Sequence, residues 1–437
     1  MEATTDPRGT EVGSYFIANY PPFFFWSADH LSKVEKVLDR SPDPSVPLGL
    51  YLHVPFCRKR CKFCYFRVYT DKNAKDVERY DEALVREMEL YRDRRALQDR
   101  ALRFVYFGGG TPSFLSAKQL GNLVRGLERS VSWNDAEEVT FECEPGTLSE
   151  AKLRTLRTIG VSRLSLGIES WNDDILRENG RAHLSAEIER AWEWIGDVGF
   201  PYVNVDLIAG MVGETDETWD ESVSRTLALA PDSVTIYQME LPYNTVYSKE
   251  ILVEGKRMPV ASWEQKRNWL RRAFERFESS GYGVSSGYTL VKDPETCNFS
   301  YRDSLWHGSD LVALGVASFS HVGGVHYQNL DRFENYVEAV SRGKLPLRRA
   351  FVAGEREKLI RELILQMKLG RLSRSYFRKK FGRDILEDFQ DPLGDLQERG
   401  LLTIEGDALR LSREALLRVD SLLPRFFLPE HRSTRYT

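Results

Sequence analysis

Three cysteines fall within eight residues, at Cys57, Cys61 and Cys64, and are the strongest candidates for chemistry in this chain. They directly follow the apolar run LGLYLHV, which predicts a loop after a strand. The next cysteine, Cys143, lies 79 residues further on. A structural zinc site normally takes four protein ligands, whereas three thiolates on a 4Fe-4S cluster leave one iron open for a small molecule. The spacing therefore favours a redox-active 4Fe-4S cluster.

A zinc site is the alternative interpretation of the same cysteines. His53 could supply a fourth ligand, but it lies within the strand pattern, four residues before Cys57. Five cysteines in 437 residues, three of them bunched, do not resemble the disulfide framework of a secreted protein. Cys143 and Cys297 are expected to be small buried residues. Metal or redox chemistry is the better interpretation, and the neighbouring motifs favour the cluster.

The elements that must position these cysteines alternate in type from residue 48 onward. Short β-rich runs are separated by amphipathic stretches with helical periodicity, such as VERYDEALVREMELYRDRR and SAEIERAWEWIGDVG. Repeated strand-then-helix units predict a parallel sheet, in an open or closed (β/α) barrel whose site lies at the C-terminal strand ends. The predicted strands are LGLYLHV, RFVYFGG, EVTFECE, RLSLGIE, YVNVDLI and SVTIYQM.

The pattern changes after about residue 350. EREKLIRELILQMKLGRLS and the next two segments are predicted helices, and LLTIEGDALRLSREALLRV is predicted to form a hairpin followed by a helix. This order is typical of a winged-helix-like module, although acidic residues among the arginines and lysines disfavour DNA binding. We therefore expect an N-terminal extension (1–47), a barrel (48–345) and a helical C-terminal domain (346–437).

Composition is that of an ordinary globular protein, with 29% charged and 42% hydrophobic residues. The formal net charge of −4 (61 basic and 65 acidic residues) argues against a protein that coats nucleic acid. No run approaches the roughly 18 apolar residues of a membrane helix, and no signal peptide is evident. We expect a cytoplasmic protein without nucleic-acid or membrane partners.

Five motifs carry a family resemblance, because their order and spacing are specific. The motifs are Tyr51-x-His53-x-Pro55-x-Cys57-x3-Cys61-x2-Cys64, Gly108-Gly109-Gly110-Thr111-Pro112-Ser113, Glu142-Cys-Glu-Pro145, Arg163-Leu-Ser-Leu-Gly167-Ile-Glu169-Ser170 and Asn204-Val-Asp206-Leu-Ile208-x-Gly210. With them the chain resembles the radical S-adenosylmethionine (SAM) family typified by oxygen-independent coproporphyrinogen III oxidase. The resemblance implies a partial (β/α)6 TIM-like radical SAM barrel with a HemN-like C-terminal domain, and an enzyme that cleaves SAM reductively at a 4Fe-4S cluster held by the three cysteines.

The same resemblance assigns residues to a first SAM molecule. Glycine permits close backbone approach to the methionine part of SAM, although the run by itself could be a plain strand-to-helix turn. An arginine fork suits the SAM carboxylate, and Phe63 matches an aromatic residue that lies against adenine. Position 169 departs from the pattern, because many relatives carry glutamine there. The implied first-SAM residues are Tyr51, Phe63, Gly109, Gly110, Thr111, Glu142, Glu169, Arg181 and Asp206.

Further residues are candidates for a second SAM, a substrate and an electron donor. The segment around Phe319, with Ile208 and Gln238, resembles a second SAM pocket, and as sequence alone that segment is buried strand and turn. The aromatic island that contains Tyr20, Phe24 and Trp26 is expected to pack on the main domain or to form a wall against substrate. The basic residues Arg58, Lys59, Arg60 and Lys62 either dock an acidic flavodoxin or ferredoxin or form a solvated loop face.

The strings that distinguish branches of the family decide the predicted reaction. Oxidases of this family typically carry a further cysteine where this chain has Phe66, which heme-trafficking relatives also carry. The segment Cys64-Tyr-Phe-Arg-Val-Tyr69-Thr and the leader Asn19-Tyr-Pro-Pro22 look like the class C methylases and cyclopropanases of yatakemycin-type alkaloid pathways. We therefore predict methylene transfer from a second SAM to an sp2 carbon of a natural product in antibiotic biosynthesis, giving methylation or cyclopropanation, the latter with or without a partner methyltransferase. A coproporphyrinogen III dehydrogenase and a heme-binding chaperone are the alternatives.

Overall fold

The computed structural model describes residues 16–432 and shows a mixed α/β protein with a largely helical C-terminal region. The first fifteen residues of the predicted 1–47 extension lie outside the described part. The strands are β1 (Leu48–Val54), β2 (Leu102–Gly109), β3 (Glu138–Cys143), β4 (Arg163–Glu169), β5 (Tyr202–Ala209), β6 (Ser233–Gln238), β7 (Gly283–Val284), β8 (Thr289–Val291), β9 (Asp310–Leu314), β10 (Phe319–Val322), β11 (Val325–Asn329), β12 (Leu347–Val352), β13 (Arg371–Ser373), β14 (Leu402–Glu405) and β15 (Ala408–Leu411). The helices are α1 (Leu31–Leu38), α2 (Ala74–Arg92), α3 (Ala117–Leu127), α4 (Glu150–Thr158), α5 (Asp173–Glu178), α6 (Ser185–Val198), α7 (Asp216–Leu229), α8 (Val246–Leu252), α9 (Trp263–Ser279), α10 (Ser300–Trp306), α11 (Phe333–Ser341), α12 (Glu355–Met367), α13 (Arg374–Phe381), α14 (Ile385–Asp388), α15 (Gln390–Glu398), α16 (Arg413–Leu417) and α17 (Val419–Leu422).

Contacts within the chain divide it into two compact units. One, here called the cysteine unit, comprises residues 26–207 and 298–352, and the other, the C-terminal unit, comprises the described residues of 1–25, 208–297 and 353–437. The domain boundaries expected from the sequence, at 47/48 and 345/346, stay predictions.

The predicted parallel sheet forms the centre of the cysteine unit. Its strand order is β12-β11-β10-β9-β1-β2-β3-β4-β5, and the run from β9 to β5 is parallel throughout. β1 is buried at every position except Tyr51, as expected for a parallel strand covered on both faces. The six strands predicted from the sequence all exist, as β1 to β6. The predicted α/β fold class is confirmed.

Helices cover this sheet through one apolar face each, as α2 illustrates. It begins at Asn73, whose side chain accepts hydrogen bonds from the first turn in a capping box with Asp76. Its buried residues include Tyr80, Leu84 and Tyr91, which recur at helical spacing on one face. Each such buried side chain contributes about 1.5–3 kcal/mol relative to an exposed one.

The C-terminal unit contains an antiparallel run of sheet strands, β6-β8-β7, and a separate three-stranded antiparallel sheet, β13-β15-β14. The predicted hairpin and following helix are confirmed as β14, β15 and α16. The helix predicted over EREKLIRELILQMKLGRLS ends early, at Met367. Gly370 then takes the left-handed conformation (φ +75°), which turns the chain into β13. None of the helices within residues 16–432 is long and apolar enough to cross a membrane.

Candidate active site

The three cysteines lie in the loop after β1, where sequence reasoning expected them. The backbone of Cys57 is fixed by a hydrogen bond from its N–H to the Tyr69 carbonyl (3.1 Å), and the Cys64 N–H donates to the Cys61 carbonyl (3.1 Å). Burial, reinforced by the neighbouring Cys61, raises the pKa of Cys57 to about 11 and that of Cys64 to about 12. The Cys57 and Cys64 thiols are therefore protonated at neutral pH, and metal binding would have to release their protons.

Two side chains from outside the loop donate hydrogen bonds to these thiols. The Thr111 hydroxyl donates to Cys57 Sγ (3.3 Å), and Arg181 Nη1 donates to Cys61 Sγ (3.3 Å). Such donors stabilise the negative charge that a thiolate carries when it binds iron. Within the described residues, no three or more His, Cys, Asp or Glu side chains surround one point as ligands of a single metal ion. A 4Fe-4S cluster instead binds its protein ligands one per iron. The three thiols therefore fit such a cluster and leave its fourth iron open.

The glycine run after β2 packs directly against the cysteine loop. Gly109 has φ +120°, and a Cβ there would lie 2.7 Å from His53 Nδ1. A Cβ on Gly110 would lie 2.9 Å from the Pro55 carbonyl carbon and 3.0 Å from Cys57 Sγ. Only glycine allows this approach, because those neighbours are the buried His53 ring, loop backbone and a fixed thiol.

Three acidic side chains lie at the carboxyl ends of three neighbouring parallel strands. Glu142 on β3 accepts hydrogen bonds from the Tyr106 hydroxyl (2.8 Å) and the Gly109 N–H (3.1 Å). Asp206 on β5 accepts from the Ser165 hydroxyl (2.7 Å) and from Asn204 Nδ2 (2.9 Å). The third carboxyl group belongs to Glu169, the last residue of β4.

These carboxyl groups are partly buried and repel one another. Burial, then repulsion from Glu169, raises the pKa of Asp206 to about 8. Burial likewise raises the pKa of Glu142 to about 7 despite its two hydrogen bonds, and also raises that of Glu169. Arg181, at 3.5 Å from Glu169, is their one cationic partner among the ion pairs of the described residues. A cationic ligand at such a site would let all three ionise.

Glu169 also occupies a strained backbone position. Its φ is +64°, and the β4–β5 register shifts between Gly167 and Glu169. Non-glycine residues with positive φ are uncommon, and they cluster at functional sites. Arg181 supports this bulge, because its Nη2 donates to the Gly167 carbonyl (2.7 Å).

The remaining first-SAM candidates lie on β1 and in the cysteine loop. The Tyr51 hydroxyl bonds to His53 Nδ1 (3.2 Å), and the Tyr51 ring stacks on Tyr106 with 5.9 Å between centroids. His53 is buried, which lowers its pKa to about 4, so it is neutral. Phe63 is half-buried in the loop. The structure thus brings the first-SAM candidates together in the cysteine unit, while their individual roles stay predictions.

Sequence reasoning missed a buried pair that supports this site. Glu144 Oε1 bonds to His183 Nδ1 (2.9 Å) and accepts a hydrogen bond from Arg58 Nη2 (3.2 Å). His183 Nε2 lies 3.2 Å from the Ile168 carbonyl, next to the β4 bulge. The sequence did offer one signal for this pair, which is the second glutamate of the Glu142-Cys-Glu-Pro145 motif. In the structure the side chain of this glutamate links the cysteine loop to the segment that contains Arg181.

The second-SAM candidates fall in different compact units. Phe319, on β10 in the cysteine unit, is partly exposed and packs edge-to-face on Trp26, with 5.7 Å between ring centroids. Ile208 and Gln238 belong to the C-terminal unit, where Gln238 Nε2 donates to the Leu417 carbonyl (2.9 Å). Their assignment to a second SAM stays a prediction.

The substrate candidates in the aromatic island are used mainly for packing. Tyr20 is fully buried, and its hydroxyl bonds to His431 Nδ1 (2.7 Å). Trp26 is 5% exposed, whereas Phe24 is 74% exposed. Of the three, Phe24 alone presents a large apolar surface to solvent, and a substrate role for the island stays a prediction.

Comparison with known proteins relates this arrangement to one superfamily. Residues 51–225 match the radical SAM superfamily, and residues 355–418 match the HemN C-terminal domain. The heme chaperone HemW of Bacillus subtilis is 27% identical over 372 residues, covering 84% of this chain and 96% of that protein. The oxygen-independent coproporphyrinogen III oxidase of Pseudomonas aeruginosa is 26% identical over 410 residues, covering 90% and 88%. The structure of coproporphyrinogen III oxidase (HemN) from Escherichia coli superposes with a TM-score of 0.82 at 23% identity, over 94% and 96% of the two chains, and so shares this fold.

These relatives overturn the reaction predicted from the sequence. Proteins similar over most of this chain are named heme chaperones and coproporphyrinogen III oxidases, so the predicted methylene transfer to a natural product is wrong. The prediction rested on two short strings, which are a small part of the sequence that these relatives share. The partner methyltransferase and the role in antibiotic biosynthesis were inferred from that reaction and lose their basis with it.

Proposed function

We propose that this chain, which combines a radical SAM domain with a HemN C-terminal domain, cleaves SAM reductively and directs the radical to a tetrapyrrole of the coproporphyrinogen type. The proposal rests most on one observation. Three thiols in the loop after β1 accompany three repelling carboxyl groups at the ends of β3, β4 and β5. SAM carries a sulfonium and an ammonium group, and therefore offers the positive charge that this acidic edge lacks.

Each residue of the site then has a physical task. Cys57, Cys61 and Cys64 would hold a 4Fe-4S cluster, which would supply the electron for reductive cleavage of SAM. Arg181 holds Cys61 and the Gly167 carbonyl, which fixes the acidic edge relative to the cysteine loop. Asp206 and its partners provide hydrogen-bond acceptors for the polar part of SAM.

Oxidative decarboxylation is the reaction that the oxidase relatives suggest for the substrate. Hydrogen abstraction from a propionate side chain, followed by loss of carbon dioxide and one electron to an acceptor, converts that side chain to a vinyl group. The similarity to the P. aeruginosa oxidase extends over 90% of the chain.

One incubation tests this proposal. Reduced, reconstituted protein with SAM and coproporphyrinogen III is expected to release carbon dioxide and 5′-deoxyadenosine, without S-adenosylhomocysteine. The Arg181→Met variant is expected to do so at least about tenfold more slowly, because hydrogen bonds from a charged donor are lost. SAM cleavage with no change in the tetrapyrrole would contradict the oxidase reaction.

A heme chaperone is the second candidate, and Phe66 is the observation that favours it. The oxidase branch typically has a cysteine at this position, whereas here Phe66 is 47% exposed and packs on Tyr65 with 4.6 Å between ring centroids. An exposed aromatic pair beside the cysteine loop suits a flat apolar ligand. Heme binding in a defined ratio, without tetrapyrrole turnover, is the result expected of a chaperone, and Phe66→Ser is expected to weaken it.

An acidic flavodoxin or ferredoxin is the proposed electron donor. Arg58 and Lys62 form ion pairs with Glu144 (3.2 Å) and Glu178 (3.0 Å), while Lys59 and Arg60 are exposed on the same loop. Exposed positive charge steers an acidic partner towards the cluster site, and the effect weakens with added salt. Lys59→Glu is therefore expected to slow reduction by such a donor and to leave reduction by dithionite unchanged.

A further inference from the structure

A partly open cavity of about 570 Å³ lies beside the first turns of α9 in the C-terminal unit. A volume of this size accommodates a small molecule. Three arginines line it, Arg267, Arg271 and Arg418, together with two glutamates, Glu264 and Glu414. The remaining lining side chains are uncharged and, with one exception, polar. None of these residues belongs to the cysteine loop or to the acidic edge.

Arg267 is the unusual member of this lining. Its guanidinium makes no hydrogen bond or ion pair with any side chain or carbonyl in the described part of the chain, and its Nε is buried. Its aromatic neighbour is Trp263, with 5.6 Å from the guanidinium carbon to the ring centroid. A partly buried cation without an anionic partner is costly, because bulk water cannot fully replace the missing contacts.

Arg418 places a second positive charge close to the first. Burial, then repulsion from Arg418, lowers the pKa of Arg267, and Glu414 only partly offsets this. Glu414 already pairs with Arg418, at 2.8 Å between Oε1 and Nη2. The Nε of Arg418 is also buried without a partner. The Glu414 carboxylate therefore has to neutralise the guanidinium groups of both Arg418 and Arg267.

The other charges at the cavity do not correct this imbalance. Arg271 lies one helical turn after Arg267, and like charges at that spacing destabilise a helix. Glu264 is exposed at the start of α9. In the absence of a bound anion the arginines repel one another. An anion in the cavity would therefore reduce a repulsion that the side chains of the cavity do not neutralise.

We propose that this cavity binds a small hydrophilic molecule through a phosphate or carboxylate group held between Arg267 and Arg418. Planar guanidinium groups match the oxygens of both anions in paired hydrogen bonds. The uncharged polar lining, which includes Gln265 and Asn268, suits the hydroxyl or amide groups of such a molecule.

Calorimetric titration of the full chain with pyrophosphate and with citrate, at constant ionic strength, tests the site and separates the two anion classes. At least one of them is expected to bind with one site per chain. Arg267→Gln is expected to weaken that binding by roughly tenfold or more, as loss of charged hydrogen bonds implies. Arg410→Gln removes the same charge at an exposed position of β15 and is expected to leave binding unchanged.

Thermal unfolding without any anion gives an independent readout. Arg267→Gln is expected to raise Tm, because it removes an unpaired charge, whereas replacing a merely structural arginine would lower Tm. The proposal is wrong if neither anion binds the wild-type chain, or if Arg267→Gln binds them as tightly as wild type does.

Discussion

At the scale of single residues, the sequence predicted where the candidate site lies, because its motifs stand at strand ends. Cys57, Cys61 and Cys64 were predicted to lie in one loop after β1, the neighbouring motifs favoured a cluster over zinc, and the ends of parallel strands had to meet at one edge. The Glu144–His183 pair could not be found in this way, since the two residues are distant in sequence and only the fold brings them to 2.9 Å. The positive φ of Glu169 could not be predicted either, because a glutamate in a sequence does not indicate a left-handed backbone conformation.

Asp206 is expected to make SAM binding dependent on pH. Its pKa is raised to about 8 in the absence of a cationic ligand, so it is mostly protonated at pH 7. A cation binds best to the ionised group, and binding must then expel a proton below that pKa. SAM affinity is therefore expected to rise by up to about tenfold per pH unit between pH 6 and 8, and to level off above.

The matched variant for this prediction is Asp206→Asn, which keeps the shape and removes the titration. Equilibrium binding of SAM across the same pH range should show a shallower slope with the variant than with the wild type. Identical slopes would mean that another group, such as the amino group of SAM, causes the whole dependence.

At the scale of elements, the glycine run and the cysteine loop form one packed unit. Gly110→Ala is expected to displace Cys57, since the added Cβ would meet backbone of the loop at 2.9 Å and Cys57 Sγ at 3.0 Å. Iron bound after anaerobic reconstitution is expected to fall clearly below the wild-type content.

Gly196→Ala is the control for that change. Gly196 lies within α6, and a Cβ there meets nothing within 4 Å, so this variant should stabilise the helix by about 0.5–1 kcal/mol and keep its iron. Equal iron content in Gly110→Ala and Gly196→Ala would show that the close approach does not position the cluster.

A buried ion pair fixes the segment before the aromatic island within the C-terminal unit. The Lys368 side chain is fully buried, and its Nζ donates to the Ile17 carbonyl (2.6 Å) and to Asp420 Oδ1 (2.8 Å). Lys368→Met would leave the Asp420 carboxylate without its cation, so we expect a loss of about 3–5 kcal/mol in the free energy of unfolding.

Lys358→Met provides the comparison for Lys368. Lys358 pairs with exposed Glu355 on the surface of α12, and a surface pair contributes less than about 1 kcal/mol. In thermal unfolding, Lys368→Met should therefore lower Tm strongly and Lys358→Met hardly at all. Similar Tm values for both variants would contradict the structural role of the Lys368–Asp420 pair.

At the scale of the whole molecule, the sequence predicted the class of fold but not the division into units. Alternating strands and helices indicate a parallel sheet, and β1 to β6 are confirmed. The antiparallel strands β10 to β12 were not predicted, although β10 and β11 form a local hairpin closed by Gly323 and Gly324. The discontinuous units are a property of tertiary packing, which local periodicity does not encode.

The reaction predicted from the sequence was wrong, although the predicted fold class was right. The motifs from which the cluster and SAM residues were predicted are shared by several branches of the superfamily, so they constrain the cofactor more than the substrate. Phe66 and the leader were short signals, and relatives that match over most of the chain outweigh them.

The central claim is that three cysteines hold a cluster that cleaves SAM. The most direct test measures iron content and 5′-deoxyadenosine formed by reduced protein, for wild type, for single Ser replacements of Cys57, Cys61 and Cys64, and for Cys297→Ser. Wild type and the buried-residue control Cys297→Ser are expected to hold about four irons and to form 5′-deoxyadenosine. Each of the other three variants is expected to lose this activity. Tightly bound zinc without iron uptake in the wild type, or unimpaired SAM cleavage by a Cys57→Ser variant, would contradict the account.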